Sequence, residues 1–167
     1  MSEVDRNTRG WPSKGYLDAK TVPLPSDERI ESGPVAVIEC PQEIPCDPCS
    51  ENCPVGAIEL DEINQSPRVD GDRCTGCSVC VETCPGLAIF VVDCSPDEGC
   101  RITLPFEFEL PEAGEEVAGL NRKGEEVTTG IVESVKPKDQ STYDTSTVTV
   151  RVEEEYIHEV RNIRRYE

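Results

Sequence analysis

The sequence is poor in imidazole, aromatic rings and positive charge. It has one His, one Trp, one Met and 5% aromatic residues among 167. A single imidazole leaves little of the side chain most used for acid–base work and metal binding. Lys and Arg number 16 against 34 Asp and Glu, a formal net charge of −18. Such a surface repels phosphate backbones and anionic lipid, which argues against a nucleic-acid binder and a membrane-surface protein. The longest strongly apolar run, Leu87 to Val92, is six residues, far short of the roughly 20 that span a bilayer. Residues Met1 to Arg6 carry acidic charge with no apolar stretch after them, so no signal peptide is expected and the cytoplasm is the expected location. No phosphate-binding glycine loop, flavin fingerprint or nucleophile–base pair is present. The chain is therefore expected to be non-catalytic on its own.

What the sequence has is cysteine, ten in all. In a cytoplasmic chain that number argues for metal binding over a disulfide framework. Residues 1–34 are polar and Pro-rich and are expected to form an extended arm, with Trp11 as a candidate anchor. Residues 35–93 hold eight Cys. A connecting loop, 94–100, holds Cys94 and Cys100, expected to be free thiols or a loop disulfide. Residues 101–167 hold no Cys and are expected to form a small antiparallel β domain. There Phe106 to Leu110 and Val148 to Val152 alternate, and Asn121 to Gly124 reads as a turn. The fold class expected is thus α+β.

An internal repeat marks the middle third. Cys46, Cys49, Cys53 and Pro54 align with Cys77, Cys80, Cys84 and Pro85 at a constant offset of 31 residues. Two copies of one unit imply two related sites. The run Cys74-x2-Cys77-x2-Cys80-x3-Cys84-Pro85 has the spacing in which three thiolates bind one cubane iron–sulfur cluster and the fourth binds another. One site then takes Cys74, Cys77, Cys80 and Cys53, here the second-motif site. The other, the first-motif site, takes Cys46, Cys49 and Cys84, and its fourth position aligns with Glu43. Three solutions exist. Cys40 reaches in over a five-residue gap, the Glu43 carboxylate ligates, or the site holds a [3Fe–4S] cluster. Cys40 is preferred, because thiolate suits iron–sulfide better than carboxylate. The expected cofactors are two [4Fe–4S] clusters.

Two other readings account for the same cysteines. Two four-cysteine zinc sites would make the domain architectural. Zinc sites pair Cys-x2-Cys knuckles, however, and do not call for a run ending twice in Cys-Pro. A cluster that is sensed would need a switch element, and the acidity speaks against DNA as its target. The two sites also differ in surroundings. Pro45 and Pro48 remove amide donors beside the first-motif site, and Glu39, Glu43, Asp47 and Glu51 crowd it with negative charge. Both features disfavour an added electron, so that site is expected to have the lower potential. The clusters are also expected to supply much of the folding free energy of 35–93.

The middle third resembles bacterial two-cluster ferredoxins. A longer pattern includes Gly33 to Cys40, Gln42 to Cys46, Leu104 to Phe108 and Glu159 to Arg164. It resembles the iron–sulfur subunits that accompany FAD-dependent amino-acid dehydrogenases of the proline, hydroxyproline and sarcosine type in anaerobes. The resemblance implies a bacterial 2[4Fe–4S] ferredoxin-like domain flanked by docking segments. It also implies electron relay to or from a flavoprotein dehydrogenase or another redox protein. His158 is expected to be a surface or packing residue. Arg161, Arg164 and Arg165 are expected to pair with Glu153 to Glu155 or to dock an acidic partner surface.

Overall fold

The computed structural model describes residues 14–41, 43–97 and 99–167, so Trp11 lies outside the described residues. Ser26 opens the first helix, α1 (Asp27–Glu31), by accepting from the Arg29 amide, with Asp27 and Glu28 in its first turn. This is ordinary N-capping helped by the helix dipole. Ile30 is buried and pins the helix to the core. The stretch expected to be extended therefore contains a helix, held by one cap and one apolar side chain.

Strand β1 (Val35–Ile38) follows. Helix α2 (Pro48–Glu51), β2 (Ile58–Glu59), β3 (Arg68–Val69) and α3 (Val79–Thr83) carry the two Cys motifs. Proline stands at the start of α2, where its missing N–H costs nothing. Six strands complete the chain: β4 (Ile89–Asp93), β5 (Cys100–Pro105), β6 (Glu116–Leu120), β7 (Glu126–Lys136), β8 (Thr147–Val152) and β9 (Asn162–Arg165). The chain reverses between β6 and β7 through Asn121 to Glu125, where the turn was expected.

Seven strands form one antiparallel sheet in the order β1-β4-β5-β8-β7-β6-β9, and β2 pairs with β3 apart from it. The sheet crosses the boundary expected at 94–100. Strands on either side of that loop pair directly, with Val91 opposite Thr103 and Asp93 opposite Arg101. The loop is the turn of a hairpin, and Cys94 and Cys100 form a disulfide across it. The alternating Phe106 to Leu110 segment does not extend β5, which ends at Pro105. Phe106 is buried and Phe108 is exposed, and their rings meet edge-on at 5.6 Å.

The alternation of β1 and β4 sorts two cores onto opposite faces of the sheet, as the strand period requires. Val35, Val37, Phe90 and Val92 join the large core with Ile102, Leu104, Val148, Val150, Val160 and Ile163. Ala36, Ile38, Ile89 and Val91 join a second core with Ile58, Val81, Cys49 and Cys80. The cysteine motifs thus pack mainly on the face of β1 and β4 that carries the second core.

Candidate metal centres

The repeat seen in sequence is a repeat in geometry. The Ala57 amide donates to Cys53 Sγ at 3.3 Å, and the Ala88 amide donates to Cys84 Sγ at 3.5 Å. Both bonds span four residues, past the Cys-Pro turn. Asn52 and Thr83, again 31 apart, meet through Asn52 Nδ2 and Thr83 Oγ1 at 3.4 Å. Helices α2 and α3 therefore pack as related halves.

The eight thiols fall into two groups. Cys46 and Cys49 each feel the negative charge of Cys84 and Cys40. Cys80 feels that of Cys74, Cys77 and Cys53, and more weakly that of Cys49. Cys53, Cys74, Cys77 and Cys80 line one small space together. Cys40, Cys46 and Cys84 line a larger cavity of about 550 Å³. Glu43 is exposed at the surface. Each group joins thiols from both motifs, because the Cys-Pro turns hand Cys53 and Cys84 across.

Burial and thiolate crowding push Cys49 up to about 11 and Cys80 up to about 12. Burial also acts on Cys53, but the amides of Ala57, Val55, Ile58 and Gly56 outweigh it and hold that thiol below its usual value. Crowded thiols of this kind require a cation to be held together as thiolates. The donor set fits iron–sulfide: soft sulfur ligands, with amide N–H groups reaching Cys53, Cys74 and Cys84. Among the described residues no three Asp, Glu, His or Cys side chains converge closely enough to hold a single metal ion.

Several residues that position the thiols carry no sequence signal. Arg29 of α1 donates from Nε to the Gly71 carbonyl at 2.7 Å and from Nη1 to that of Gly33 at 2.9 Å. Its Nη2 donates to the carbonyls of Cys74 at 2.9 Å and Pro34 at 3.2 Å. It thereby fixes the entry to the second motif. The Ala36 amide in β1 donates to Cys74 Sγ at 3.3 Å. Glu82, between Cys80 and Cys84, is buried. It accepts from Lys136 Nζ, from the Ser141 hydroxyl at 2.9 Å and from the Thr142 amide at 2.8 Å. The Tyr143 hydroxyl donates to Asn52. The segment joining β7 and β8 is thus stitched to both helices.

Glu39 is buried between two guanidinium groups. Arg122 Nε donates to it at 3.0 Å and Arg161 Nε at 2.7 Å. Burial raises its pKa, but the two arginines outweigh that and hold the carboxyl below its usual value. Of the acidic residues expected to crowd the first-motif site, Glu39 is therefore neutralised. Arg161 is itself buried, which removes it from any docking surface. Arg164 pairs with Glu126 at 3.0 Å, and Arg165 pairs with Glu115 at 2.6 Å and Glu109 at 3.0 Å. The pairing is internal, but its acids come from neighbouring strands and loops, not from Glu153 to Glu155. His158 is half-buried, and its carbonyl accepts from Arg122 Nη1 at 2.8 Å.

Residues 37–88 match the family described as the 4Fe-4S dicluster domain. Among curated proteins, the pyruvate synthase subunit PorD of Methanocaldococcus jannaschii is 44% identical over 46 residues, 28% of this chain and 52% of that protein. The dissimilatory-type sulfite reductase subunit beta of Archaeoglobus fulgidus is 32% identical over 71 residues, 42% of this chain and 17% of that protein. The ferredoxin-type protein NapF of Haemophilus influenzae is 39% identical over 59 residues, 33% of each. The chain thus spans between about a sixth and a half of the relatives it matches. The search of solved structures found no match. The middle third is thus similar to 4Fe–4S ferredoxin-type domains. Among the described residues no helix is long and apolar enough to cross a membrane.

Proposed function

We propose that this chain is a non-catalytic subunit that passes single electrons through two [4Fe–4S] clusters. One cluster would be held by Cys40, Cys46, Cys49 and Cys84, the other by Cys53, Cys74, Cys77 and Cys80. The carrying observation is that Cys40, Cys46 and Cys84 line one space and Cys53, Cys74, Cys77 and Cys80 line another. Each cluster, when bound, supplies a one-electron acceptor and donor of low reorganisation cost. The protein's own residues hold the sulfurs, donate amide hydrogen bonds to them and shield them between the two helices and the sheet.

The electron partner is proposed to be a flavoprotein dehydrogenase. The motif resemblance supports it, and several relatives are named as subunits, one of them of an oxidoreductase complex. The covering of the ferredoxin-type domain by strands β5 to β9 also suits a subunit built into an assembly.

A reductive titration of anaerobically purified protein tests the reading. Two electrons per chain, taken up as the brown colour bleaches, support two clusters. A colourless protein that holds zinc and takes up no electrons overturns it.

A further inference from the structure

Arg161 is buried in a chain short of positive charge. Its Nε donates to Glu39 at 2.7 Å, and its Nη1 donates to the carbonyls of Ile157 at 3.0 Å and Val160 at 2.6 Å. Its guanidinium stacks 5.2 Å from the Phe90 ring. Its Nη2 is buried with no hydrogen-bond partner among the described residues. A buried guanidinium normally satisfies its donors, because an orphaned N–H in a dry site is costly.

Arg161 lines the same 550 Å³ cavity as Cys40, Cys46 and Cys84, with Glu39 and Arg122 also in its wall. Two guanidinium groups and one carboxylate leave one net positive charge beside the first-motif thiols. The space shared by Cys53, Cys74, Cys77 and Cys80 is lined by Ala, Val, Ile, Pro, Gly, Ser and Thr, with no charged side chain. The two sites are therefore electrostatically unequal in a way the loop sequences do not suggest.

We propose that Arg161 sets the potential of the first-motif site. This rests on the reading that Cys40, Cys46, Cys49 and Cys84 hold a cluster. Reduction by a one-electron donor adds one negative charge there and breaks no bond. A fixed positive charge in the wall of the same cavity favours the reduced state. Arg161 thus opposes the effect of Pro45, Pro48 and the acidic loop, and brings the first-motif potential up. Glu39 acts in the opposite sense by cancelling one of the two guanidinium charges.

The test is an EPR-monitored redox titration, resolved by site, on anaerobic full-length protein whose iron has been counted first. Arg161→Gln is expected to move the first-motif midpoint to more negative potential and to leave the second-motif midpoint in place. Glu39→Gln is expected to move the same midpoint upward. Arg161→Lys, which keeps the charge, is expected to stay near wild type. A role in packing alone would not reverse sign between Arg161→Gln and Glu39→Gln. If Arg161→Gln does not fold, Arg122→Gln removes the same charge and is expected to shift the midpoint in the same negative direction. Unmoved midpoints, or equal shifts in both variants, on protein with full iron would overturn this inference alone. Wild-type protein without iron would overturn the cluster reading beneath it.

Discussion

Arg29 donates to the carbonyl of Cys74 across 45 residues of sequence, at 2.9 Å. One side chain of a five-residue helix thereby holds the loop from which the second motif starts. Replacing Arg29 with Met would leave the carbonyls of Gly71, Gly33, Pro34 and Cys74 without this donor. The expected cost is about 2–4 kcal/mol, since several charge-assisted bonds go at once. Urea unfolding of the iron-loaded protein checks it. Unchanged stability would show that water replaces the guanidinium without loss.

Gly76 stands between Cys74 and Cys77 with φ +66°, and an added Cβ would lie 2.4 Å from Pro34 Cβ. Proline cannot yield as a flexible side chain could. Gly76→Ala combines left-handed strain with overpacking, a cost of about 2–4 kcal/mol. The expected result is loss of second-motif iron, while the first-motif signal survives. EPR of the reduced variant reads this directly, and an unaltered two-cluster spectrum would contradict it.

Iron removal is expected to dismantle the motifs but not the sheet. From sequence alone, residues 35–93 form a unit that should unfold without metal. In the structure β1 and β4 belong to the seven-stranded sheet, and Val35, Val37, Phe90 and Val92 sit in its large core. Of the eight candidate ligand thiols, only Cys74 packs against that core. After chelation, amides of Val35–Ile38 and Ile89–Asp93 should stay protected from hydrogen exchange while those of 44–84 lose protection. Collapse of all protection together would contradict this.

His158 is half-buried, and burial, with Arg161 and Arg122, holds its pKa below the usual 6.5 against the opposing pull of Asp27 and Glu39. The unfolded chain therefore binds this proton more readily than the folded one. Stability is full above pH 6.5 and falls as the pH drops from 6.5 toward the lowered folded value. His158→Gln is expected to remove that part of the slope. Parallel urea midpoints for both proteins at pH 7.5 and 5.5 would contradict it.

The grouping of the thiols was more legible in the sequence than the fold around them. Thiol ligands need fixed short spacings, so Cys46 to Cys53 and Cys77 to Cys84 announced two related units, and Cys40 stood at a distance from which a loop could return. The turn after Leu120 was readable for a similarly local reason. The single sheet was not. The pairing of β4 with β5 is hidden by Pro96 and Gly99, which read as a linker but serve a disulfide-closed hairpin. Strand β3 is two residues long and has no periodicity to detect. The partners of Glu39 lie 83 and 122 residues away, and charge pairing over such distances leaves no local trace.

The central claim is tested most directly by iron and acid-labile sulfide per chain, on anaerobic wild-type, Cys40→Ser and Cys94→Ser/Cys100→Ser proteins. The account predicts about eight irons and eight sulfides in wild type, with no EPR signal when oxidised and a coupled signal after dithionite. It predicts the same content in the Cys94→Ser/Cys100→Ser protein, because in wild type those two sulfurs form the hairpin disulfide. It predicts loss of iron from the first-motif site alone in Cys40→Ser. About seven irons with a signal in oxidised wild type would mean a three-iron cluster and remove Cys40 from the ligand set. Zinc in place of iron would contradict the account as a whole.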